Sequence, residues 1–172
     1  MNDGRPLPNL RELFEEHARY IWRALRHLGV ADADAEDICQ EVFVTAHKKL
    51  SEFEGRSTLR TWLYGICLRH ASDYRRKAYV RRERPHEEPS ELAEPSSTDA
   101  HASVDSRRLL RSLLAELDED KREVVVLYEL EGFTMKEVAE IVGCPLQTAY
   151  SRLHAGRERL AEAAAKIAQE VA

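Results

Sequence analysis

The 23 residues 83–105, ERPHEEPSELAEPSSTDAHASVD, carry three of the chain's six prolines, seven acids against one arginine, and almost nothing that could enter a core. A stretch so poor in apolar side chains buries too little surface to offset the entropy of ordering it. It therefore reads as a linker dividing the 172-residue chain into an N-terminal unit, residues 1–82, and a C-terminal unit, residues 106–172. With 43% hydrophobic residues, both units can build a small core. The linker also explains the charge. The formal net charge of -5 argues against a nucleic-acid partner only until the charges are located, because residues 1–82 hold 15 Lys and Arg against 12 acids. Residues 106–172 are nearly balanced, with 10 against 12.

Apolar spacing on both sides of the linker is helical. Leu10, Phe14, Ala18, Ile21, Leu25 and Leu28 predict one helix, stopped by Gly29. A second is expected from Asp34 to Leu50, with Ile38, Val42 and Ala46 inward and an acidic first half that suits the helix dipole. Ser57 is expected to cap a third through Leu59, Leu63, Ile66, His70 and Tyr74. In the C-terminal unit Leu110, Leu113, Leu114 and Leu117 form one stripe, and Val124, Leu127 and Tyr128 another. No segment alternates as a strand would, so the fold class is all-α: two small helical domains joined by a flexible acidic linker.

No stretch approaches the ~20 apolar residues of a membrane span, and the start MNDGRPLPNL lacks the basic-then-apolar order of a signal peptide. A cytoplasmic protein without membrane contact is expected. Cys39, Cys67 and Cys144 form no CxxC pair or Cys/His cluster and read as reduced, mostly buried thiols, with no metal site. The seven histidines are scattered and no phosphate-cradling glycine loop occurs, so neither an enzyme nor a cofactor is expected.

Three constellations point to function. Thr134 and Glu137 form a capping box that opens MKEVAEIV, and Gly143-Cys144-Pro145 separates this helix from LQTAYSRLHAGRERL, the order of a helix-turn-helix. Small Ala139 and Gly143 are expected to let the two helices cross tightly. With Ala149 and Leu153 inward, the second helix presents Gln147, Thr148, Ser151, Arg152, His154 and Arg157 to base edges and phosphates, or simply to solvent. Next, residues 59–82 hold Arg60, Arg69, Arg75, Arg76, Lys77, Arg81 and Arg82 against one acid, Asp73, with Trp62, Tyr64, Tyr74 and Tyr79 interleaved. Cations follow phosphates and aromatic faces accept unstacked bases, a mixture suited to DNA whose strands are separating. Trp62 suits a core equally well. Finally, Asp32, Asp34, Glu36, Asp37 and Glu41 are interrupted by no Lys or Arg. Phosphates repel such a run and a basic protein surface attracts it, although a solvated face would look the same.

Taken together, these residues resemble the extracytoplasmic-function (ECF) sigma factors of RNA polymerase. DAEDICQEVFVTAHKKL is similar to region 2.2, FEGRSTLRTWLYGI with ASDYRRK to regions 2.3 and 2.4, and LDEDKREVVVLYELEGFTMKEVAEIVGCPLQTAYSRLHAGRERL to region 4. The resemblance implies docking on core RNA polymerase through Asp37, Gln40 and Glu41. It implies capture of a flipped promoter base by the loop Phe53, Glu54, Gly55, Arg56 and Ser57, and strand opening by Arg60 and Trp62. Reading of the minus-ten element would extend to Arg69, Arg75 and Arg76, and the helix-turn-helix would read the minus-thirty-five element of promoter DNA. An anti-sigma factor is implied as a further partner, as is a linker lying in the polymerase's RNA exit path. Two positions depart from the pattern: Arg69 stands where the family often has Asn, and Pro145 where it often has Ser or Thr. A stand-alone helix-turn-helix dimer is the rival reading, and it leaves the acidic helix and FEGRSTLRTWLYGI without a role.

Overall fold

The structure, a computed structural model, describes residues 9–82 and 100–171, so most of the expected linker, residues 83–99, lies outside the described residues. The N-terminal helices are α1 (Leu10–His27), α2 (Ala35–Lys49) and α3 (Leu59–Arg82). The C-terminal ones are α4 (Ala100–Ala115), α5 (Glu119–Val125), α6 (Met135–Val142) and α7 (Leu146–Val171). No strand occurs among the described residues.

Local chemistry sets most boundaries. Asn9 accepts from the Glu12 N–H and the Glu12 carboxylate accepts from the Asn9 N–H, each at 3.0 Å, which closes a capping box ahead of α1. Gly29, at φ 94°, ends that helix in a conformation glycine adopts without steric cost. The buried face of α1 is Leu13, His17, Ile21, Ala24 and Leu25. Ile21, Leu25 and Leu28 of the expected stripe are buried and Leu10 and Ala18 pack on the core, while Phe14 departs from it, 43% exposed and edge-on to Phe43 at 4.9 Å. Leu13 and His17 are buried besides because α1 packs against both α2 and α3, which periodicity along a single helix does not contain. The cap of α3 also moves. Thr58, not Ser57, takes the Thr61 N–H on its hydroxyl and the Trp62 N–H on its carbonyl, both at 3.0 Å; Ser57 stands one residue too early for either bond.

In the C-terminal unit α4 already begins at Ala100, so residues 100–105, expected in the linker, are helical. Asp118 caps α5, which continues as a π-helical turn over Val126–Leu130. That wide turn ends with the Glu131 N–H on the Val126 carbonyl at 3.0 Å and the Phe133 N–H on that of Leu127 at 3.1 Å. The capping box of Thr134 and Glu137 opens α6, and Gly143 at φ 68° closes it. A side chain at Gly143 would meet nothing within 4 Å, so this glycine serves the left-handed turn rather than a tight crossing. The tight crossing lies at Gly156 of α7, where a Cβ would stand 2.7 Å from Val125 Cγ2 of α5.

The two units share one core. Buried side chains of α1, α2 and α3 run continuously into those of α5, α6 and α7, with Tyr64 edge-on to Phe133 at 4.8 Å on the seam.

Candidate functional site

On α2, Asp37, Gln40 and Glu41 are all exposed and share one side of the helix, because steps of three and four residues return to the same face. With Val44, Thr45 and His70 they line a shallow depression of about 550 Å³. His70 is fixed beneath the acids: Nε2 lies 2.9 Å from the Thr45 hydroxyl and Nδ1 3.5 Å from the Glu41 carboxylate. Acid side chains around the exposed Val44 make a surface that a basic helix of another protein would complement.

The basic residues of α3 divide into two nearly opposite faces. Trp62, Arg69 and Arg76 recur at seven-residue steps on one side. There Trp62 is half-buried and packs against Phe53 at 5.3 Å, so it serves the core while showing part of its indole beside the 53–57 loop. In that loop Glu54 and Arg56 pair at 2.6 Å, both well exposed, and Gly55 takes φ 69°. Arg69 is exposed, and Arg76 pairs with Asp73 one turn earlier.

Arg60, Tyr64 and Arg75 lie on the other side, against the C-terminal unit. The Arg60 guanidinium donates to the Glu131 carbonyl and sits 4.0 Å over the Phe133 ring. The Glu131 carboxylate is fully buried; it accepts from the Tyr64 hydroxyl at 2.6 Å and from Arg23 at 3.1 Å. Burial, reinforced by that carboxylate, pushes the Tyr64 phenol well above its ordinary value. Arg75 donates to the Leu28 carbonyl, to Glu119 at 2.5 Å and to Glu123 at 3.1 Å. Burial pushes the Glu123 carboxyl up to about 7, and Arg75 only partly opposes it. A third bridge joins Arg111 of α4 to Asp32, which also holds Arg26. The structure thus separates residues that the sequence groups as a single basic surface.

On α7, Ala149 and Leu153 are buried as expected, which turns Gln147, Ser151 and His154 to the surface with Thr148 half-buried. Arg152 is bonded to Asp120 at 2.5 Å, while Arg157 is bonded to Glu129 and lies 5.7 Å from the Tyr128 ring centre. Sequence reasoning passed over Tyr150, 50% exposed among these polar residues, and Glu131. The cue for Glu131 was an acid set between Leu130 and Phe133, where an unpaired carboxylate would be costly. Cys39 and Cys67 are buried, and burial raises the thiols, that of Cys39 to about 11. Among the described residues no group of three or more His, Cys, Asp or Glu is placed to hold a metal ion, and no helix is long and apolar enough to cross a membrane.

Two family models match the chain, Sigma-70 region 2 over residues 13–81 and Sigma-70, region 4 over residues 107–160. The ECF RNA polymerase sigma factor SigE of Mycolicibacterium smegmatis is 30% identical over 177 residues, covering 99% of this chain and 67% of that protein. The ECF RNA polymerase sigma-E factor of Haemophilus influenzae is 31% identical over 142 residues, covering 76% and 75%. Among solved structures, the sigma factor RpoE of Bartonella quintana, in complex with the anti-sigma factor NepR, superposes with a TM-score of 0.70 at 25% identity, over 88% of this chain and 94% of that one. CnrH, in complex with the cytosolic domain of CnrY, superposes with a TM-score of 0.71 at 24% identity over 91% and 88%, a likeness of fold. An acidic face, an aromatic and basic helix and a capped helix-turn-helix therefore come together in a chain that belongs to the ECF sigma factors, which bind core RNA polymerase and direct the initiation of transcription at promoters.

Proposed function

We propose that the labour of initiation is divided among three surfaces of this chain, and that one of them is usable only after the two helical units separate. Asp37, Gln40 and Glu41 dock on core polymerase. The loop 53–57 with Trp62, Arg69 and Arg76 takes the non-template strand at the minus-ten element. Gln147, Thr148, Ser151, Arg152, His154 and Arg157 read the minus-thirty-five element, the two arginines exchanging Asp120 and Glu129 for phosphates. Arg60 and Arg75 join the minus-ten set on opening. The observation that carries this reading is the occupation of both by the C-terminal unit, through Glu131, Glu119 and Glu123.

Opening about ten base pairs forfeits roughly 14 kcal/mol of stacking, more than one small helical unit recovers by capturing a few bases. Polymerase contacts must therefore hold the separated strands, and the free, closed chain binds promoters weakly. An anti-sigma factor that favours the closed form would keep it so; the RpoE relative was solved in complex with one, NepR. The chain acts in the cytoplasm and carries no catalytic centre of its own. Permanganate footprinting on a promoter tests the scheme. Opening is expected only with core polymerase, and opening by the isolated chain would refute it. Charge reversal, Asp37→Lys with Glu41→Lys, should abolish co-elution with the core enzyme while leaving the helical circular-dichroism signal unchanged.

A further inference from the structure

Beside the seam between the units, a cleft of about 380 Å³ opens between α1 and α4. Its α1 wall is Arg19, Trp22, Arg23, Arg26 and His27, a set at three- and four-residue steps that forms one helical stripe. Its α4 wall is Arg107 and Arg111, one turn apart. Five guanidiniums thus face a space large enough for a single small molecule. Among the described residues Glu131 holds Arg23 and Asp32 is shared between Arg26 and Arg111, which have further interactions besides. Arg19 and Arg107 have no carboxylate partner among the described residues. Arg19 and Arg107 thus place one guanidinium without a described carboxylate on each wall, and a multivalent anion bridging them would relieve their repulsion.

The shape and chemistry narrow the anion. Guanidinium forks match phosphate oxygens in a bidentate way, and several at once match a chain of adjacent phosphates. The volume lies in the range of small-molecule sites, whereas a duplex backbone presents its phosphates along a convex ridge that a cleft of this size does not admit. The indole of Trp22, 37% exposed with Arg26 stacked 4.4 Å from its ring centre, adds a flat apolar wall beside the cations. His27 completes the floor. Among the described residues its Nδ1 is buried without a hydrogen-bond partner, and burial lowers its pKa.

We propose that this cleft binds a small polyphosphorylated anion, of the nucleoside di- or triphosphate class, between the two helical units. Because its walls belong to opposite units, the ligand would clasp them together and favour the closed form by mass action. The consequence for promoter access rests on the functional reading above; the binding itself does not.

Isothermal titration of the full chain at 0.15 M salt, with ATP and with inorganic tripolyphosphate, tests the site without polymerase or DNA. One saturable site with a Kd of about 100 µM or tighter is expected. Arg19→Ala with Arg107→Ala should weaken it about tenfold or more, and Arg69→Ala, on the opposite face of α3 from the C-terminal unit, should leave it unchanged. Tighter binding of ATP than of tripolyphosphate, reduced by Trp22→Ala, assigns the indole to the base; equal binding assigns the site to the phosphate chain alone, and both support it. The proposal is overturned if neither probe saturates below 1 mM, if Arg69→Ala weakens binding as much as the double variant, or if only an acidic peptide competes for these arginines. Failure of the promoter assays would leave these heats untouched, so the two readings fall separately.

Discussion

The two faces of α3 hold the same kinds of residue in opposite circumstances. Trp62, Arg69 and Arg76 stand on the solvent side, whereas Arg60, Tyr64 and Arg75 are consumed by bonds to Glu131, Glu119, Glu123 and the Leu28 carbonyl. Basic composition therefore does not define a nucleic-acid surface. A cation packed into the seam, as Arg60 and Arg75 are, reaches phosphate only if the units part, whereas an exposed pair such as Arg76 with Asp73 exchanges at the surface. Glu131 matters most, because a fully buried carboxylate is stable only with its full set of donors.

The strongest way to break the contrast is Glu131→Ala, which strands the Tyr64 hydroxyl and frees Arg23. Closure should weaken by about 3 kcal/mol, roughly a hundredfold shift toward separated units, read as a larger radius of gyration in small-angle scattering. An unchanged radius would mean that apolar contact at Tyr64 and Phe133 holds the seam unaided. Next in size, Arg75→Ala should lower unfolding stability by about 2 kcal/mol, while Arg69→Ala on the open face should stay within about 0.5 kcal/mol. Equal losses in chemical denaturation would erase the distinction between the faces. On promoter DNA with polymerase the order inverts for Arg69→Ala, which should reduce the slope of log affinity against log salt by about one.

The smallest effect is a pH dependence. Glu123 has its carboxyl raised to about 7 in the folded chain, against 4.5 for the ordinary group, chiefly through burial. Folding therefore takes up a proton between these values. This contribution to stability is full below about 4.5 and is lost as pH rises to about 7. Glu123→Gln should flatten the stability profile in that window relative to the parent chain, and an identical profile would show the carboxyl to be ionised throughout.

Much of the architecture was legible because its causes are local. The helix-turn-helix followed from Thr134, Glu137 and Gly143, whose bonds span three or four residues and whose left-handed turn needs no distant partner. Asp37, Gln40 and Glu41 were grouped by the family resemblance, and the structure places them on one depression. The cap of α3 was missed by one position because Ser57 and Thr58 are equally good caps in sequence, and only the hydrogen bonds distinguish them. On α1 Ile21, Leu25 and Leu28 were read as buried and are, while Leu13 and His17 were passed over because a helix flanked by two others can bury more than one stripe. Gly156 escaped notice because its necessity arises from Val125, 31 residues earlier in the chain.

From the sequence alone came the helices, their stops, the division into two units and the charged stretches, since propensity, capping and periodicity act within a turn or two. Which cations remain open to solvent, which are locked at the seam and which gather in the cleft of α1 and α4 were decided by tertiary structure. The physical reason is that a charge is neutralised by what lies beside it in space. The partners here are as remote along the chain as Arg23 and Glu131, 108 residues apart.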